Sequence, residues 1–125
     1  MKILLVDDDL DYINYIETTW PNLKENIEIE SFQDPERALE KMEEGEYDVV
    51  VSDYQMPMMD GLDFLEGVRE RSEKVSFVIL TGKGDEEVAM KSLNMRADGY
   101  VKKDMDPKNQ LQIIEDALYE KPVNG

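Results

Sequence analysis

Four short apolar runs in this chain each end in residues able to do chemistry. Ile3–Val6 runs into Asp7, Asp8 and Asp9, and Val49–Val51 leads through Ser52 into Asp53, then Tyr54-Gln55-Met56-Pro57. Val75–Leu80 is followed by Thr81-Gly82, and Gly99–Val101 by Lys102-Lys103. Taken singly, each is ordinary: an Asp run before a helix favours the helix dipole, and a Thr or Lys in a loop is usually surface. Their joint placement at the ends of apolar runs carries the functional reading. If Asp7, Asp8 and Asp53 meet, they repel, because two carboxylates about 4 Å apart cost about 4 kcal/mol at an effective dielectric near about 20. Either one of them takes up a proton or a cation sits among them. Oxygen-only ligation with few protein donors suits Mg²⁺, which keeps several waters and shares its site with phosphate. A lysine and a threonine opposite such a metal complete a cradle for a phosphoryl group. The chemistry this implies is in-line phosphoryl transfer, driven by positioning and charge neutralisation. The chain has no histidine and no cysteine, so the acceptor would be a carboxylate.

The elements that must position these residues follow from hydrophobic period. The continuous apolar runs suit strands buried on both faces of a parallel sheet, and Ile27, Ile29 and Phe32 suggest one more strand. Between the strands lie stretches of helical period. Ile13, Ile16 and Trp20 mark a first helix, which Pro21 is expected to end. Asp34-Pro35 reads as an N-cap with proline at the first helical position, opening a helix on Ala38, Leu39 and Met42 that stops at Gly45. Leu62, Leu65 and Val68 mark a third helix, Val88, Ala89 and Leu93 a fourth, and Leu111, Ile114 and Leu118 a fifth. The expected fold is α/β: a five-stranded parallel sheet, doubly wound as (βα)5 in the flavodoxin-like manner, with right-handed crossovers. Ligands in such sheets bind beyond the carboxyl ends of the strands, where the residues above fall. Residues 1–120 are expected to form one domain, and 121–125 a frayed tail or linker stub.

Composition narrows the function further. The 125 residues include 30 Asp or Glu against 14 Lys or Arg, a formal net charge of −16. Such a polyanion offers no phosphate-neutralising face, so direct nucleic-acid binding is not expected. The absence of cysteine excludes disulfides, thiolate catalysis and zinc–sulfur sites, and the absence of histidine excludes imidazole chemistry. The longest apolar runs, Ile3–Val6 and Phe77–Leu80, are too short to span a membrane, and no signal-peptide pattern opens the sequence. A cytoplasmic location is expected.

With these residues in view, the chain resembles the receiver domain of two-component response regulators over nearly its whole length. The resemblance is carried by Ile3-Leu4-Leu5-Val6-Asp7-Asp8, by Val51-Ser52-Asp53-Tyr54-Gln55-Met56-Pro57 with Met59-Asp60-Gly61, by Leu80-Thr81-Gly82 and by Gly99-Tyr100-Val101-Lys102-Lys103, in that order. It implies that Asp53 is the phospho-acceptor. It further implies that Asp8 ligates Mg²⁺ directly, Asp7 directly or through water, and Gln55 through its backbone carbonyl, Asp53 completing the metal set. Thr81 would hydrogen-bond the phosphoryl group and Lys103 would pair with its charge. Tyr100 would be the switch aromatic that moves inward as Thr81 turns. Asp9 matches no family position and reads as a cap or solvated charge. Gln55 and Lys83 occupy places where receivers vary and tune dephosphorylation.

One departure is local. Receivers usually carry a proline in a cis peptide after the lysine, whereas here Lys103 is followed by Asp104. A cis bond at that point would cost about 3 kcal/mol, so a trans peptide and a different loop are expected. Lys103 is favoured over Lys102 because the strand pleat sends Lys102 to the other side, but a one-residue slip would exchange them.

The resemblance implies a phosphorylation-operated signalling module rather than an enzyme. A sensor histidine kinase would supply the phosphoryl group, and slow self-catalysed hydrolysis would reset the switch. The output would pass through the surface of the fourth helix, fifth strand and fifth helix to a downstream protein or a fused output domain, with homodimerisation on phosphorylation a further expectation. Two rival readings differ in kind. A phosphohydrolase using the Asp7, Asp9 and Asp11 spacing leaves Asp53, Pro57 and Thr81 unexplained, and an unphosphorylated interaction domain leaves a complete acceptor set without use. A flavin carrier is set aside because no Ser/Thr-Gly-rich phosphate loop follows the first strand.

Overall fold

A computed structural model describes residues 1–82, 87, 91 and 97–119. The chain alternates strands and helices: β1 (Lys2–Val6), α1 (Leu10–Leu23), β2 (Glu28–Phe32), α2 (Pro35–Glu44), β3 (Val49–Asp53), α3 (Gly61–Arg71), β4 (Ser76–Thr81), β5 (Gly99–Lys102) and α4 (Pro107–Tyr119). The five strands form one sheet in the order β2-β1-β3-β4-β5, every neighbouring pair parallel. This is the doubly wound α/β sheet expected from the sequence. The expected fifth helix corresponds to α4, while the expected fourth, on Val88, Ala89 and Leu93, lies outside the described residues, as do Lys83 and the tail 121–125.

The continuous apolar runs are used on both faces. Alternation along each strand sends Ile3, Leu5, Val49, Val51, Val78, Leu80 and Val101 to one side, against Ile13, Ile16 and Trp20 of α1 and Leu111, Ile114 and Ala117 of α4. Leu4, Val6, Val50, Phe77 and Ile79 face the other side, against Ala38 and Leu39 of α2 and Phe64, Leu65 and Val68 of α3. Among the described residues no helix is long and apolar enough to cross a membrane.

Helix ends follow local chemistry, with one correction. Asp34 caps α2 by accepting from the Glu36 N–H at 2.9 Å, with Pro35 in the first turn and Gly45 closing the helix through the Lys41 carbonyl at 3.1 Å. Pro21, expected to end α1, lies inside it, and the helix continues to Leu23. Proline removes only its own N–H, and this close to the C-terminus the loss is confined to the last turn. Asn22 adds a bond from its side-chain amide to the Thr18 carbonyl at 2.8 Å, which supports that turn.

Sheet order places the chemistry. The chain crosses from β1 to β2 on one side and returns to β3 on the other, so the strand order reverses between β1 and β3. The carboxyl ends of these adjacent strands, with β4 and β5 beyond, form the crevice where doubly wound sheets bind ligands.

Candidate functional site

Asp7 follows β1 immediately, its N–H donating to the Phe32 carbonyl of β2 at 3.1 Å. Its side chain is 0% exposed; Oδ1 accepts from the Asp9 N–H at 2.9 Å and Oδ2 lies 2.8 Å from Lys103 Nζ. Asp53 is the last residue of β3 and 7% exposed, with Oδ1 3.3 Å from the same ammonium. Asp8 is exposed, yet one of its oxygens lies within 4.8 Å of an oxygen from each of Asp7 and Asp53. Lys103 therefore bridges two buried carboxylates while a third stands at the mouth.

Register places Lys103 one residue beyond the end of β5. Lys102 pairs with Thr81 as the last residue of β5, and the next residue, Lys103, donates its N–H to the Thr81 carbonyl at 2.9 Å. Lys103 then sends its ammonium back across the strand ends, 4.8 Å from the centre of the Tyr12 ring on α1. No cis peptide occurs among the described residues, so Lys103–Asp104 is trans as expected. The loop instead closes through the Met105 N–H to the Lys102 carbonyl at 3.1 Å, and Asp106 caps α4 through the Lys108 N–H at 2.8 Å.

The approach from β3 to α3 is tight. Tyr54 N–H bonds to the Leu80 carbonyl at 3.1 Å, and the Gly61 N–H returns to the Tyr54 carbonyl at 2.7 Å. A Cβ at Gly61 would stand 2.9 Å from the Asp53 carbonyl oxygen and 2.9 Å from Tyr54 Cα, so only glycine lets α3 start this close to the site. Gln55 is exposed in this loop. Asp60 caps α3 through the Asp63 N–H at 2.9 Å.

Thr81 and Tyr100 are placed differently from the charged group. Thr81 is buried at the end of β4, its hydroxyl 3.5 Å from the Val101 carbonyl of β5. Tyr100 is half-buried and packs with the apolar cluster on the α2–α3 side of the sheet. The structure thus brings Asp7, Asp8, Asp53 and Lys103 together, and sets Thr81 and Tyr100 at the adjoining strands. Asp9 is the N-cap of α1, accepting from Asp11 N–H at 3.0 Å and Tyr12 N–H at 3.2 Å, as its lack of a family role suggested.

The electrostatics leave the group under-compensated. Burial raises the Asp7 carboxyl above its ordinary range despite the bond and charge of Lys103. Burial pushes Asp53 up to about 7, helped by the charge of Asp7 and opposed by Lys103. Lys103 is drawn down by burial, but its bond to Asp7 and the charges of Asp7 and Asp53 outweigh this and raise it overall. Apart from the Lys103 ion pair, the buried Oδ2 of Asp7 accepts no hydrogen bond among the described residues. Three carboxylates against one ammonium, with such an oxygen facing the group, fit a hard divalent cation held by oxygen ligands.

Two residues beside the site escaped the sequence reading. Tyr12 lies under the Lys103 ammonium, and Gln110 of α4 reaches the Tyr12 hydroxyl and the Lys102 and Lys103 carbonyls. A signal for Gln110 existed: it shares a helical stripe with Ile114 and Ala117, where an apolar residue is the default.

Comparison with known proteins agrees with the geometry. Residues 3–115 match the family model described as "Response regulator receiver domain". The chain is 32% identical over 114 residues to the transcriptional regulatory protein FlgR of Helicobacter pylori, covering 91% of this chain but only 29% of that protein. It is 31% identical over 105 residues to the probable chemotaxis protein CheY of Rhizobium etli, covering 82% of this chain and 81% of the relative. Among solved structures, the response regulator receiver domain protein from Clostridium thermocellum superposes with a TM-score of 0.86 at 25% identity, covering 99% and 98% of the two chains.

Proposed function

The chain belongs to the response regulator receiver domain family of two-component signalling, and from that premise we propose that Asp53 accepts a phosphoryl group from a sensor histidine kinase. The observation that carries this reading is the single ammonium of Lys103 spanning Asp7 at 2.8 Å and Asp53 at 3.3 Å beyond the sheet.

The division of labour among the carboxylates supports Asp53 as the nucleophile. Asp7 is 0% exposed and its Oδ1 is engaged by the Asp9 N–H, so its role is to hold charge. Asp8 is exposed and stands at the rim. Asp53 ends a strand, keeps a small exposed surface and engages Lys103 through Oδ1, which leaves Oδ2 to attack phosphorus. As the O–P bond forms, the P–N bond to the kinase imidazole breaks and nitrogen keeps the electron pair, leaving a neutral histidine after protonation. Asp7, Asp8, Asp53 and the backbone carbonyl of Gln55 would hold a Mg²⁺ ion, which would supply charge neutralisation at the phosphoryl oxygens. Lys103 then shifts its pairing from Asp53 to the phosphoryl group, its other pairing with Asp7 fixing the stem.

The acyl phosphate biases a two-state surface. The Thr81 hydroxyl, weakly engaged with the Val101 carbonyl at 3.5 Å, turns to the phosphoryl oxygen, and Tyr100 moves into the space this opens. The altered surface around β5 and α4 engages a downstream protein or a fused output domain, or a second phosphorylated copy. Attack of water on phosphorus returns the Asp53 carboxylate and inorganic phosphate, and Gln55 and Lys83 set the rate at which water enters. On this reading residues 1–120 act as a cytoplasmic signalling module and 121–125 as a tail or linker; the domain itself contacts neither nucleic acid nor membrane.

Intact mass after incubation with acetyl phosphate, with and without Mg²⁺, tests the acceptor. A Mg²⁺-dependent gain of one phosphoryl group, lost in Asp53→Asn, is the expected result. No gain under any condition would point to an interaction-only domain, and a gain persisting in Asp53→Asn would move the acceptor to another carboxylate.

A further inference from the structure

The last helix buries a polar side chain on the face it turns to the sheet. Gln110 is 0% exposed, in a helix whose other inward residues, Leu111, Ile114 and Ala117, are apolar. Its Oε1 accepts from Trp20 Nε1 at 3.1 Å. Its Nε2 donates to the Lys102 carbonyl at 3.0 Å, with the Lys103 carbonyl at 3.4 Å and the Tyr12 hydroxyl at 3.5 Å also within reach.

These partners enclose one residue. The Lys103 N–H is tied to the Thr81 carbonyl at 2.9 Å, so β4 holds the amide side of its main chain and Gln110 the carbonyl side. The Lys103 ammonium then rests 4.8 Å from the Tyr12 ring before reaching Asp7 and Asp53. The hydroxyl of that ring is itself within reach of the Gln110 amide. One buried side chain therefore contacts both the backbone from which Lys103 springs and the ring beneath its charge. The other end of the amide is rooted on Trp20, which is 0% exposed in α1. A leucine would satisfy the helix stripe without desolvating an amide. An amide there is compensated only when its partners stand in defined places, and it constrains them in return.

We propose that Gln110 is a positioning residue that, through its amide N–H bonds to the Lys102 and Lys103 carbonyls, sets Lys103 between Asp7 and Asp53 for phosphoryl chemistry. This rests on the reading of Asp53 as acceptor, and the test separates the two. Gln110→Met keeps length and apolar volume but deletes the amide. Trp20→Phe removes the donor to Oε1 while leaving the Lys102 and Lys103 carbonyls their partner. Both variants and the parent are labelled with ¹³C-lysine, and the Lys103 ε-methylene resonance is followed beside the rate of Mg²⁺-dependent phosphoryl uptake from acetyl phosphate.

Gln110→Met is expected to move the Lys103 resonance and slow uptake by about tenfold, since small misplacements of a charge-stabilising group are costly. Trp20→Phe is expected to stay within about twofold of the parent, because Lys103 keeps its geometry. An unmoved Lys103 resonance in folded Gln110→Met, or equal slowing by both variants, would overturn the proposal. If Gln110→Met does not fold, hydrogen exchange of the Gln110 side-chain amide in the parent decides: protection is expected, and exchange at the rate of a free glutamine sinks the anchor. If the parent takes up no phosphoryl group at all, the acceptor reading fails, and the Lys103 resonance still reports on positioning.

Discussion

Lys103 Nζ lies 2.8 Å from Asp7 Oδ2 and 3.3 Å from Asp53 Oδ1, so the lysine is held more closely by the carboxylate assigned to charge balance than by the proposed acceptor. The arrangement keeps the cation at the site while leaving its second pairing free to change when Asp53 becomes esterified. It also means that Lys103 competes with any metal for the same oxygens.

Replacing Lys103 separates these two roles. Lys103→Met removes the ammonium that pairs with Asp7 and Asp53, so Mg²⁺ binding is expected to tighten by about tenfold or less, the scale of one partly screened charge pair. Phosphoryl uptake is expected to fall in the same variant. Isothermal titration with Mg²⁺ and intact-mass time courses read the two effects, and looser Mg²⁺ binding would contradict the competition.

The raised carboxyls dictate a pH dependence. The folded chain binds more protons at Asp7 and Asp53 than the unfolded chain, for which 3.8 is the ordinary value, and Asp53 in the folded state titrates at about 7. Their stabilisation is present below about pH 3.8 and is lost as pH rises through about 7. Without divalent metal, the thermal midpoint is expected to fall between pH 5.5 and pH 8, and this slope should be shallower in Asp53→Asn. At pH 8 the variant should melt about 5 °C above the parent, equivalent to about 1–2 kcal/mol, and the gap should narrow as pH falls, closing only below about pH 3.8. Parallel slopes in the two chains would contradict the assignment.

Metal addition should remove the same penalty. A ligand bound only by the folded state at about 100 times its Kd adds about 2.7 kcal/mol, so Mg²⁺ should raise the melting point at pH 8 and be reversed by a chelator. Asp8 is exposed, so Asp8→Asn should leave the metal-free midpoint nearly unchanged while weakening the Mg²⁺-induced rise. Differential scanning calorimetry of the two chains, each with and without metal, distinguishes a lost ligand from a lost structural residue.

Gly61 offers a steric test of how the site is shaped. The Cβ of Gly61→Ala would stand 2.9 Å from the Asp53 carbonyl oxygen, 2.9 Å from Tyr54 Cα and 3.1 Å from Ile79 Cδ1. The first two are backbone atoms and cannot rotate away, so a loss of about 1–3 kcal/mol is expected in urea unfolding. The start of α3 must shift, which should also slow phosphoryl uptake at Asp53.

Much of this was legible in the chain itself. The runs Ile3–Val6, Val49–Val51 and Val75–Leu80 became strands buried on both faces, because a parallel sheet covered by helices requires no alternation. Asp34, Pro35 and Gly45 marked the ends of α2 because capping is settled within a few residues. Asp7, Asp8, Asp53 and Lys103 stood out because strand ends in this topology converge on one edge. Pro21 was misjudged as a terminator, since a helix tolerates one missing donor in its last turn. That the Thr81 hydroxyl engages the Val101 carbonyl had no sequence signal, since the contact depends on how β4 and β5 are registered.

What the sequence by itself determined, then, is what chain neighbours govern: strand and helix periods, caps, and the set of groups that follow the strands into the crevice. The tertiary structure alone decided which buried polar atoms meet. Trp20 and Gln110 are 90 residues apart and pair only because α1 and α4 pack side by side on one face of the sheet. The pleat favoured Lys103, but only the register of β5 on β4, which pairs Lys102 with Thr81, excludes the one-residue slip and brings the Lys103 ammonium to Asp7. Hydrogen bonds and ion pairs act over a few ångströms in space, and distance along the chain does not specify those contacts until packing has brought the elements together.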